Sequence, residues 1–389
     1  MVEVSGHPEV PRFVRVARSA ARPRLTFARV ASAGAGRLIP KWRALAERSV
    51  GDNCFFDPDF ALPAMRHLGA DVAIATVSDP AGSPVALAPF TRTRLGRIAP
   101  AARLWAHDYA PLGMPLIDRD AVEAAASGLL NGLAPASDGV SLIAADLPLE
   151  GPVARALVAA ALRQERPVDV LDGHVRASID RSIPGADDPR ALLPVRRRKE
   201  FARQMRRLAD VGEVTIHAAV EPADVRGRFE AFMRLEAAGW KGQRGSALIS
   251  TAATRDFARA AVASRADAGA ARIDSIDLGG QPIAMVVSFA AGGTAWTWKI
   301  AYDEAYARFS PGVQLMLETT KAIFSDPTLE RIDSCASANH PMVDHLWPGR
   351  LAIGSLVIGP PGGSAVHRIG LAAARAELAA RAAVRRFRS

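Results

Sequence analysis

The chain has 389 residues and a net charge of +9. Single hydrophobic cores stop growing at ~250–300 residues, so this length predicts two domains. Hydrophobic residues make up 49% of the sequence, as in globular proteins, and the lack of any apolar run of ~18 residues argues against a membrane-spanning helix. The two cysteines, Cys54 and Cys335, are too few and too far apart for a disulfide framework, so reduced thiols are expected.

The first half of the chain alternates between predicted strands and helices. Residues 1–22 carry arginines without an apolar stretch, which predicts a flexible arm rather than a secretory signal. Residues 23–183 are predicted to form the first domain, with Phe55 and Phe56 packed into it. Its predicted elements are a strand over 24–31, helices over 38–50 and 59–67, strands over 72–77 and 84–92, a helix over 121–133, a strand over 140–144, a helix over 153–163 and a strand over 168–171.

The second half begins after a Pro- and Gly-containing linker at 184–189, and residues 190–360 are predicted to form the second domain. Gly279-Gly280 and Gly292-Gly293 are two-residue hairpin signals, so they predict three consecutive antiparallel strands. The predicted elements are helices over 195–211, 223–238 and 252–264, and strands over 213–217, 271–278, 281–289, 294–301 and 331–334. Residues 365–389 predict a basic helix, for which a solvated tail is favoured over contact with an anionic membrane.

The stretch from Thr294 to Phe324 combines a strand, a loop and a helix start. Ser310 suits the N-cap of that helix, and Pro311 suits its first position, where the missing N–H would be unpaired anyway. Gly312 allows a ligand to approach the backbone closely. Because a helix start presents free N–H groups and the positive end of the helix dipole, this segment predicts an anion-binding site.

The predicted helix from Arg196 to Arg207 contains seven basic residues and one acid, Glu200. Helical spacing places Arg196, Lys199, Arg203 and Arg206 on one face. That face either binds phosphates, such as those of a nucleotide-linked sugar, a lipid-linked intermediate or tRNA, or is the solvated side of an amphipathic helix. The sequence leaves both interpretations open.

Several motifs carry a family resemblance. They are Lys299-Ile300-Ala301-Tyr302-Asp303, Ala307-Arg308-Phe309-Ser310-Pro311-Gly312, Asp52-Asn53-Cys54-Phe55-Phe56, Gly239-Trp240-Lys241 and Ser246-Ala247-Leu248. Together they resemble the cellulose-biosynthesis CelD-like branch of the bacterial GNAT superfamily, which is distantly similar to the FemABX aminoacyl transferases. The resemblance implies an α/β (α+β) fold with two GNAT-like halves, each a mixed, mostly antiparallel sheet flanked by helices.

In that superfamily the helix start grips the pyrophosphate of acyl-coenzyme A. The resemblance therefore assigns acetyl-CoA or another acyl-CoA, as co-substrate, to Arg308, Ser310, Gly312, Val313 and Gln314. The usual pattern, an Arg or Gln, two residues and then Gly-x-Gly/Ala, is not intact. Arg308 lies four residues before Gly312, and Val313-Gln314 stand where the second small residue would fall. No metal is expected, because no metal-ligand spacing occurs.

Acyl transfer to an amine needs a base for the ammonium proton and donors for the oxyanion and the leaving group. Asp333 ends a predicted strand beside the expected groove, where it is either a base, a substrate-orienting group or a helix cap. Asp303 follows the neighbouring strand and is either catalytic or part of a solvated turn. His340 is a candidate base, because histidine titrates near neutral pH.

Substrate-binding candidates lie on the central strand and on a glycine-containing loop. Lys299 is expected to contact a phosphate or carboxylate, or else to be an edge-strand charge that discourages aggregation. Trp240 and Lys241 belong to a predicted lid or substrate loop, and Tyr302 either packs the groove or acts as an acid. The basic helix adds three candidates: Arg196, Lys199 and Arg203.

With the resemblance, the sequence predicts a cytoplasmic N-acyltransferase. The acceptor would be an amine on a small molecule, a nucleotide- or lipid-linked sugar, or a peptide, in cell-envelope or exopolysaccharide synthesis. One alternative is a FemABX-like transferase that uses aminoacyl-tRNA and binds RNA with steep salt dependence. Another is a non-catalytic GNAT-fold scaffold. Peripheral membrane contact through the C-terminal helix is the further alternative for location.

Overall fold

The computed structural model describes residues 25–69 and 71–388. The arm predicted over residues 1–22 lies outside the described residues. Among the described residues, no helix combines the length and the apolar character needed to cross a membrane.

Ten α-helices occur in the described part of the chain. They are α1 Ile39–Glu47, α2 Pro58–Leu68, α3 Val122–Ala136, α4 Pro152–Arg163, α5 Val195–Ala209, α6 Pro222–Ala238, α7 Trp240–Gln243, α8 Ala252–Asp267, α9 Pro311–Ile323 and α10 Ala365–Arg388. Short 3-10 helices form at Ser32–Leu38, Cys54–Phe56, Leu248–Ser250, Glu304–Phe309 and Val343–His345.

Thirteen strands accompany these helices in the same residues. They are β1 Thr26–Ala31, β2 Ala73–Ser78, β3 Pro84–Leu95, β4 Ala99–Leu104, β5 Leu116–Ile117, β6 Ser141–Pro148, β7 Val168–Asp180, β8 Val214–Ala219, β9 Ala271–Leu278, β10 Gln281–Ala291, β11 Thr294–Tyr302, β12 Arg331–Asp333 and β13 Gly349–Ile358. The predicted three-strand meander is confirmed as β9, β10 and β11. The sequence predicted no strand at β13. It also ended the predicted strand at residue 171, whereas β7 continues to Asp180 through Asp172, which has a positive φ.

The strands form one sheet with a palindromic order. From edge to edge the order is β1-β2-β3-β4-β6-β13-β7-β12-β11-β10-β9-β8, and β5 pairs with β3 outside this path. β7 pairs with β12 and β13 pairs with β6, so each half of the chain completes its sheet with a strand from the other half. The predicted mixed sheet flanked by helices is therefore confirmed, and the exchange of β7 and β13 joins its halves.

Two parallel strand pairs lie at equivalent places in the palindrome. β4 and β6 pair over three residues each, and so do β11 and β12. β11 continues to Tyr302 after its pairing with β12 ends at Trp296 and Asp333. The backbone pairing of the two strands therefore ends at this point, and we call the region between their continuations the cleft.

An aromatic cluster joins the two halves. The ring centre of Phe60 lies 5.5 Å from that of Phe257 and 6.0 Å from that of Trp298. Phe55 lies 6.0 Å from Trp296 in the same cluster. Such edge-to-face pairs add about 0.5–1.5 kcal/mol each beyond area burial. Phe55 thus packs against the second half as well, whereas the sequence placed it within the first half alone.

Asp52 links the first half to the hairpin turn between β10 and β11. Its Oδ2 accepts bonds from the Gly293 N–H at 3.1 Å and the Thr294 hydroxyl at 2.9 Å. A Cβ at Gly292 would collide with the Asp52 carboxylate, and Gly292 has φ +54°. The motif around Asp52 is therefore a clamp between halves, and the clamp requires glycine at position 292.

Candidate active site

β11 contains a β-bulge at Trp298. Val287 of β10 faces Lys299 and Ser288 faces Thr297, so Trp298 is the extra residue between them. A bulge changes the direction of the side chains next to it. Trp298 and Lys299 accordingly share a side of the strand, and the Lys299 ammonium lies 5.8 Å from the Trp298 ring centre.

Lys299 is held by aromatic rings rather than by a carboxylate. Its Nζ lies 4.7 Å from the ring centre of Tyr109, whose backbone oxygen accepts a 2.8 Å bond from the Trp298 indole. Burial and the positive charge of Lys241 together lower the pKa of Lys299 to about 8. At neutral to mildly alkaline pH, Lys299 can therefore exchange a proton, as a catalytic base must.

The loop from Gly239 to Leu248, which contains the short helix α7, holds Lys241 beside Lys299. Lys241 Nζ donates to Glu236 Oε1 at 2.8 Å and to the Ile300 carbonyl oxygen at 3.3 Å. The other Glu236 oxygen accepts the Leu248 N–H at 2.8 Å, so both ends of the loop return to one buried carboxylate. The predicted lid is thus tied to β11 in this structure.

Two catalytic candidates have local structural partners. The Asp303 side chain accepts the Ala305 N–H at 2.9 Å and caps the 3-10 helix that follows β11. His340 Nδ1 accepts the Met342 N–H at 3.3 Å, so its neutral ring carries the proton on Nε2. Burial lowers the pKa of His340, which keeps the ring neutral. His340 is therefore a better donor than base, and both assignments stay predictions.

Asp333 lies at the point where the cleft opens. It is 2% exposed, and its Oδ2 pairs with Arg176 Nη2 at 2.5 Å. Its Oδ1 accepts the Cys335 N–H at 3.0 Å, and Cys335 has φ +52°. With both oxygens engaged, Asp333 has a structural role in the resting protein, and its catalytic role stays a prediction.

The start of α9 is more closed than an open anion site requires. Ser310 occupies the N-cap, as predicted, but with φ +51° in the left-handed region, and its side chain makes no cap bond. Pro311 and Gly312 are buried, and a Cβ at Gly312 would contact Ile300 and Tyr302. The start of α9 is therefore packed against the end of β11.

The remaining cofactor candidates contact protein. The Gln314 amide donates to the Phe201 carbonyl at 2.8 Å and accepts from Arg190 at 3.1 Å. Val313 packs against the apolar cluster on this face. The Arg308 guanidinium lies over the ring of Phe309, 4.7 Å from its centre. Of this set, Arg308 keeps an exposed cation that a ligand can reach.

The basic helix α5 lies next to the start of α9. The Gln314–Phe201 bond joins the two helices. Arg203 pairs with Glu200 at 2.7 Å. The other six cations, Arg196, Arg197, Arg198, Lys199, Arg206 and Arg207, are exposed and form no ion pair within the described residues. A surface with six unpaired cations favours a phosphate-bearing partner.

The equivalent cleft of the first half is filled. The Gly113 N–H donates to the Ala145 carbonyl oxygen at 3.0 Å, and a Cβ at Gly113 would collide with that oxygen. Before α3, the counterpart of α9, the chain carries Asp118 and Asp120, and Asp118 pairs with Arg48 at 2.7 Å. The two halves therefore differ at these equivalent positions.

Sequence reasoning missed Tyr109 and Glu236. Tyr109 reaches the cleft from the first half, and no local pattern signals a contact with a residue 190 positions away. Glu236 is a buried carboxylate near the end of α6, five residues before Lys241. An acid and a lysine this close in the chain were the signal from which the pair could have been predicted. Two cavities of about 530 and 660 Å³ flank Asp52 at the opposite end of β11 from Lys299.

Comparisons with known proteins agree with this geometry. Residues 195–340 match a family model described as an acetyltransferase (GNAT) domain, which runs from α5 to His340. No curated protein matches the sequence. The match confirms the predicted enzyme class: the chain carries the domain of an acyltransferase.

Solved structures share the fold at low identity. A conserved protein of unknown function from Bacteroides thetaiotaomicron has TM-score 0.55 and 11% identity, covering 86% of this chain and all 100% of that chain. The C-terminal (DUF2156) domain of a putative lysylphosphatidylglycerol synthetase from Agrobacterium fabrum has TM-score 0.54 and 11% identity, covering 89% and 97%. FemX has TM-score 0.53 and 10% identity, covering 82% and 95%. Together with the domain match and the palindromic sheet, these likenesses confirm the predicted fold class.

Proposed function

We propose that this protein transfers an acyl group to an amine in the cleft between β11 and β12, with Lys299 as the central group. The observation that carries the proposal is Lys299 itself. A bulge turns it into an aromatic cleft, no carboxylate among the described residues forms an ion pair with it, and burial is the main cause that lowers its pKa to about 8.

In the proposed reaction the acceptor nitrogen attacks the acyl carbonyl carbon. A new C–N bond forms, the carbonyl oxygen becomes an oxyanion and the bond to the leaving group then breaks. Neutral Lys299 takes the proton that the amine loses, directly or through water. His340 Nε2–H would donate a hydrogen bond to the oxyanion or the leaving group.

We propose acyl-CoA as the donor, because the matched domain is an acetyltransferase domain. Its phosphates would lie between the start of α9 and the unpaired cations of α5. The motifs of the sequence favour the CelD-like branch, and with it an amine acceptor from envelope or exopolysaccharide synthesis at a cytoplasmic location.

A second candidate is transfer of an aminoacyl group carried on RNA. The buried Pro311 and Gly312 favour it, because they leave less room for a pyrophosphate at the start of α9. The six unpaired cations of α5 would contact a long polyanion such as RNA. The fold is also that of FemX and of a putative lysylphosphatidylglycerol synthetase domain.

The deciding experiment is calorimetric binding of acetyl-CoA and of a bulk tRNA preparation at two salt concentrations. Acetyl transfer to a panel of amines is followed in parallel. The variants are Lys299→Met and Arg196→Glu/Lys199→Glu, with Lys41→Met as the matched control, because Lys41 is an exposed lysine that donates to Gly82.

Acetyl-CoA binding by the wild type, with transfer lost in Lys299→Met but kept in Lys41→Met, supports the first candidate. Absent acetyl-CoA binding with steeply salt-dependent tRNA binding would move the proposal to the second. Unchanged transfer in Lys299→Met would remove the proposed role of the lysine.

A further inference from the structure

Trp240 differs from the other tryptophans in its exposure. Trp42, Trp296, Trp298 and Trp347 are 5% exposed or less and Trp105 is half-buried, whereas Trp240 is 46% exposed. A large aromatic ring left in water is common at interaction sites, because its burial by a ligand is favourable. The residues around Trp240 indicate which class of ligand would cover the ring.

The Trp240 backbone is fixed beside the cleft. Its N–H donates to Glu304 Oε1 at 2.9 Å, at the start of the 3-10 helix that leads into α9. The next residue, Lys241, bonds to the end of β11. A Cβ at Gly239, the residue before Trp240, would lie 3.4 Å from Glu304 Oε1 and 4.0 Å from the Tyr302 carbonyl oxygen. The exposed ring is therefore held by a backbone that is already ordered.

Cations and a second aromatic ring surround this position. The Arg244 guanidinium carbon lies 5.0 Å and the Lys241 ammonium 6.0 Å from the Trp240 ring centre, so two cations lie over the indole. Tyr302 is 37% exposed, and its ring also contacts the position of a Cβ at Gly312. The surface thus runs from Trp240 past Tyr302 to the start of α9 and on to α5.

We propose that Trp240 is a stacking platform for the base of a nucleotide whose phosphates reach the cations of Arg308 and α5. Bases stack on an indole through their π-faces, and the 46% exposure of Trp240 leaves open ring surface for a base beside the two cations. The ligand class is a phosphorylated nucleoside: the nucleotide part of coenzyme A, the end of an RNA, or a nucleotide-linked sugar. The inference rests on the proposed function for its biological setting, but the binding test does not.

The probes are adenosine 3′,5′-bisphosphate, UDP and the trinucleotide CCA, with ribose 5-phosphate as the probe that lacks a base. Calorimetry measures each on the wild type, Trp240→Ala and Trp240→Phe. Ile216→Ala is the control, because Ile216 is 52% exposed on the far edge strand β8. Unfolding curves check that each variant is folded.

We expect Trp240→Ala to bind at least one base-bearing probe roughly tenfold to 100-fold more weakly. Trp240→Phe should recover most of that affinity, and ribose 5-phosphate should bind all variants alike. The probe whose affinity falls most in Trp240→Ala identifies the source of the nucleotide. Equal binding by Trp240→Ala and the wild type, or no nucleotide binding by the wild type, would overturn the proposal.

The binding and transfer measurements distinguish a wrong assignment of Trp240 from a wrong proposed function. Acetyl transfer by the wild type with unchanged nucleotide affinity in Trp240→Ala would remove the stacking platform alone. Loss of nucleotide affinity in Trp240→Ala with unchanged transfer in Lys299→Met would keep the platform and remove the role of Lys299.

Discussion

Arg176 and Asp333 form an ion pair across the exchanged strand, with Nη2 2.5 Å from Oδ2 and both side chains almost fully buried. Arg176 lies on β7 from the first half, and Asp333 ends β12 of the second. Arg176 also donates to the Pro111 carbonyl at 3.0 Å. One buried pair thus fixes the two halves together at the point where the cleft opens.

Asp333→Asn should lower the free energy of unfolding by about 3–5 kcal/mol, because it leaves Arg176 as an uncompensated buried charge. Urea unfolding followed by circular dichroism measures this. The double variant Arg176→Met/Asp333→Leu should recover most of the loss. If Asp333→Asn instead kept full stability and lost transfer, the carboxylate would be the catalytic base that the sequence suggested.

Transfer should depend on the titration of Lys299. Because burial and Lys241 lower its pKa to about 8, the neutral amine accumulates above that pH, so kcat/KM should rise through about pH 8. Lys299→Met should remove this limb of the pH profile, and Lys299→Arg should not restore it, because arginine stays charged. A profile in Lys299→Met that keeps the wild-type limb would assign the titration to the acceptor amine.

His107 should make the protein sensitive to acid. Burial lowers its pKa to about 4, below the ordinary value near 6.5. The unfolded chain therefore binds a proton that the folded chain does not between these values, so stability falls as the pH drops from 6.5 to 4. The loss is on the order of 3 kcal/mol.

Replacing His107 by Phe tests this, because the His107 ring packs against Trp105 with centres 4.6 Å apart and planes tilted by 37°, a contact that a Phe ring can keep. The free energy of unfolding of the variant should depend less on pH over this window. His174→Asn, at a histidine that bonds only to the Asp172 carbonyl, is the control and should leave the dependence intact. Parallel curves for His107→Phe and the wild type would refute the assignment.

The Asp52 clamp should be measurable as a coupling between positions 52 and 292. Asp52→Ala removes two hydrogen bonds and should cost about 1–3 kcal/mol. Gly292→Ala should destabilise through both its positive φ and its collision with Asp52. In the double variant the collision is gone, so the two costs should be less than additive.

Gly269→Ala supplies the matched control for backbone strain. Gly269 also has a positive φ, +66°, but no atom lies near the position of its Cβ. The difference between the two glycine variants isolates the collision. Equal costs at positions 269 and 292, with additivity between 52 and 292, would mean that Asp52 moves aside freely.

Part of the fold could be predicted from the sequence and part could not. Local periodicity and paired glycines were sufficient for the meander of β9, β10 and β11, because hairpin strands pair with their sequence neighbours. β7 and β13 were not predictable in the same way. Their partners come from opposite halves of the chain, and no local pattern encodes an exchange of strands.

The candidate site shows the same division. The sequence singled out Lys299, Lys241 and Trp240, whose types and spacing stand out locally. It predicted a phosphate site at Gly312, where the helix start packs against Ile300 and Tyr302 of β11, and that site stays a prediction. It did not find Tyr109, because that ring reaches the cleft through the packing of one half on the other.

By itself, the sequence determined the mixed α/β class, the strand–loop–helix segment and the charge of α5, since each depends on residues close together in the chain. Tertiary structure alone decided that one sheet joins both halves, that the first cleft is filled and that Lys299 sits among aromatic rings. Those features depend on burial and on contacts between residues far apart in the chain, and burial is also what lowers the Lys299 pKa to about 8.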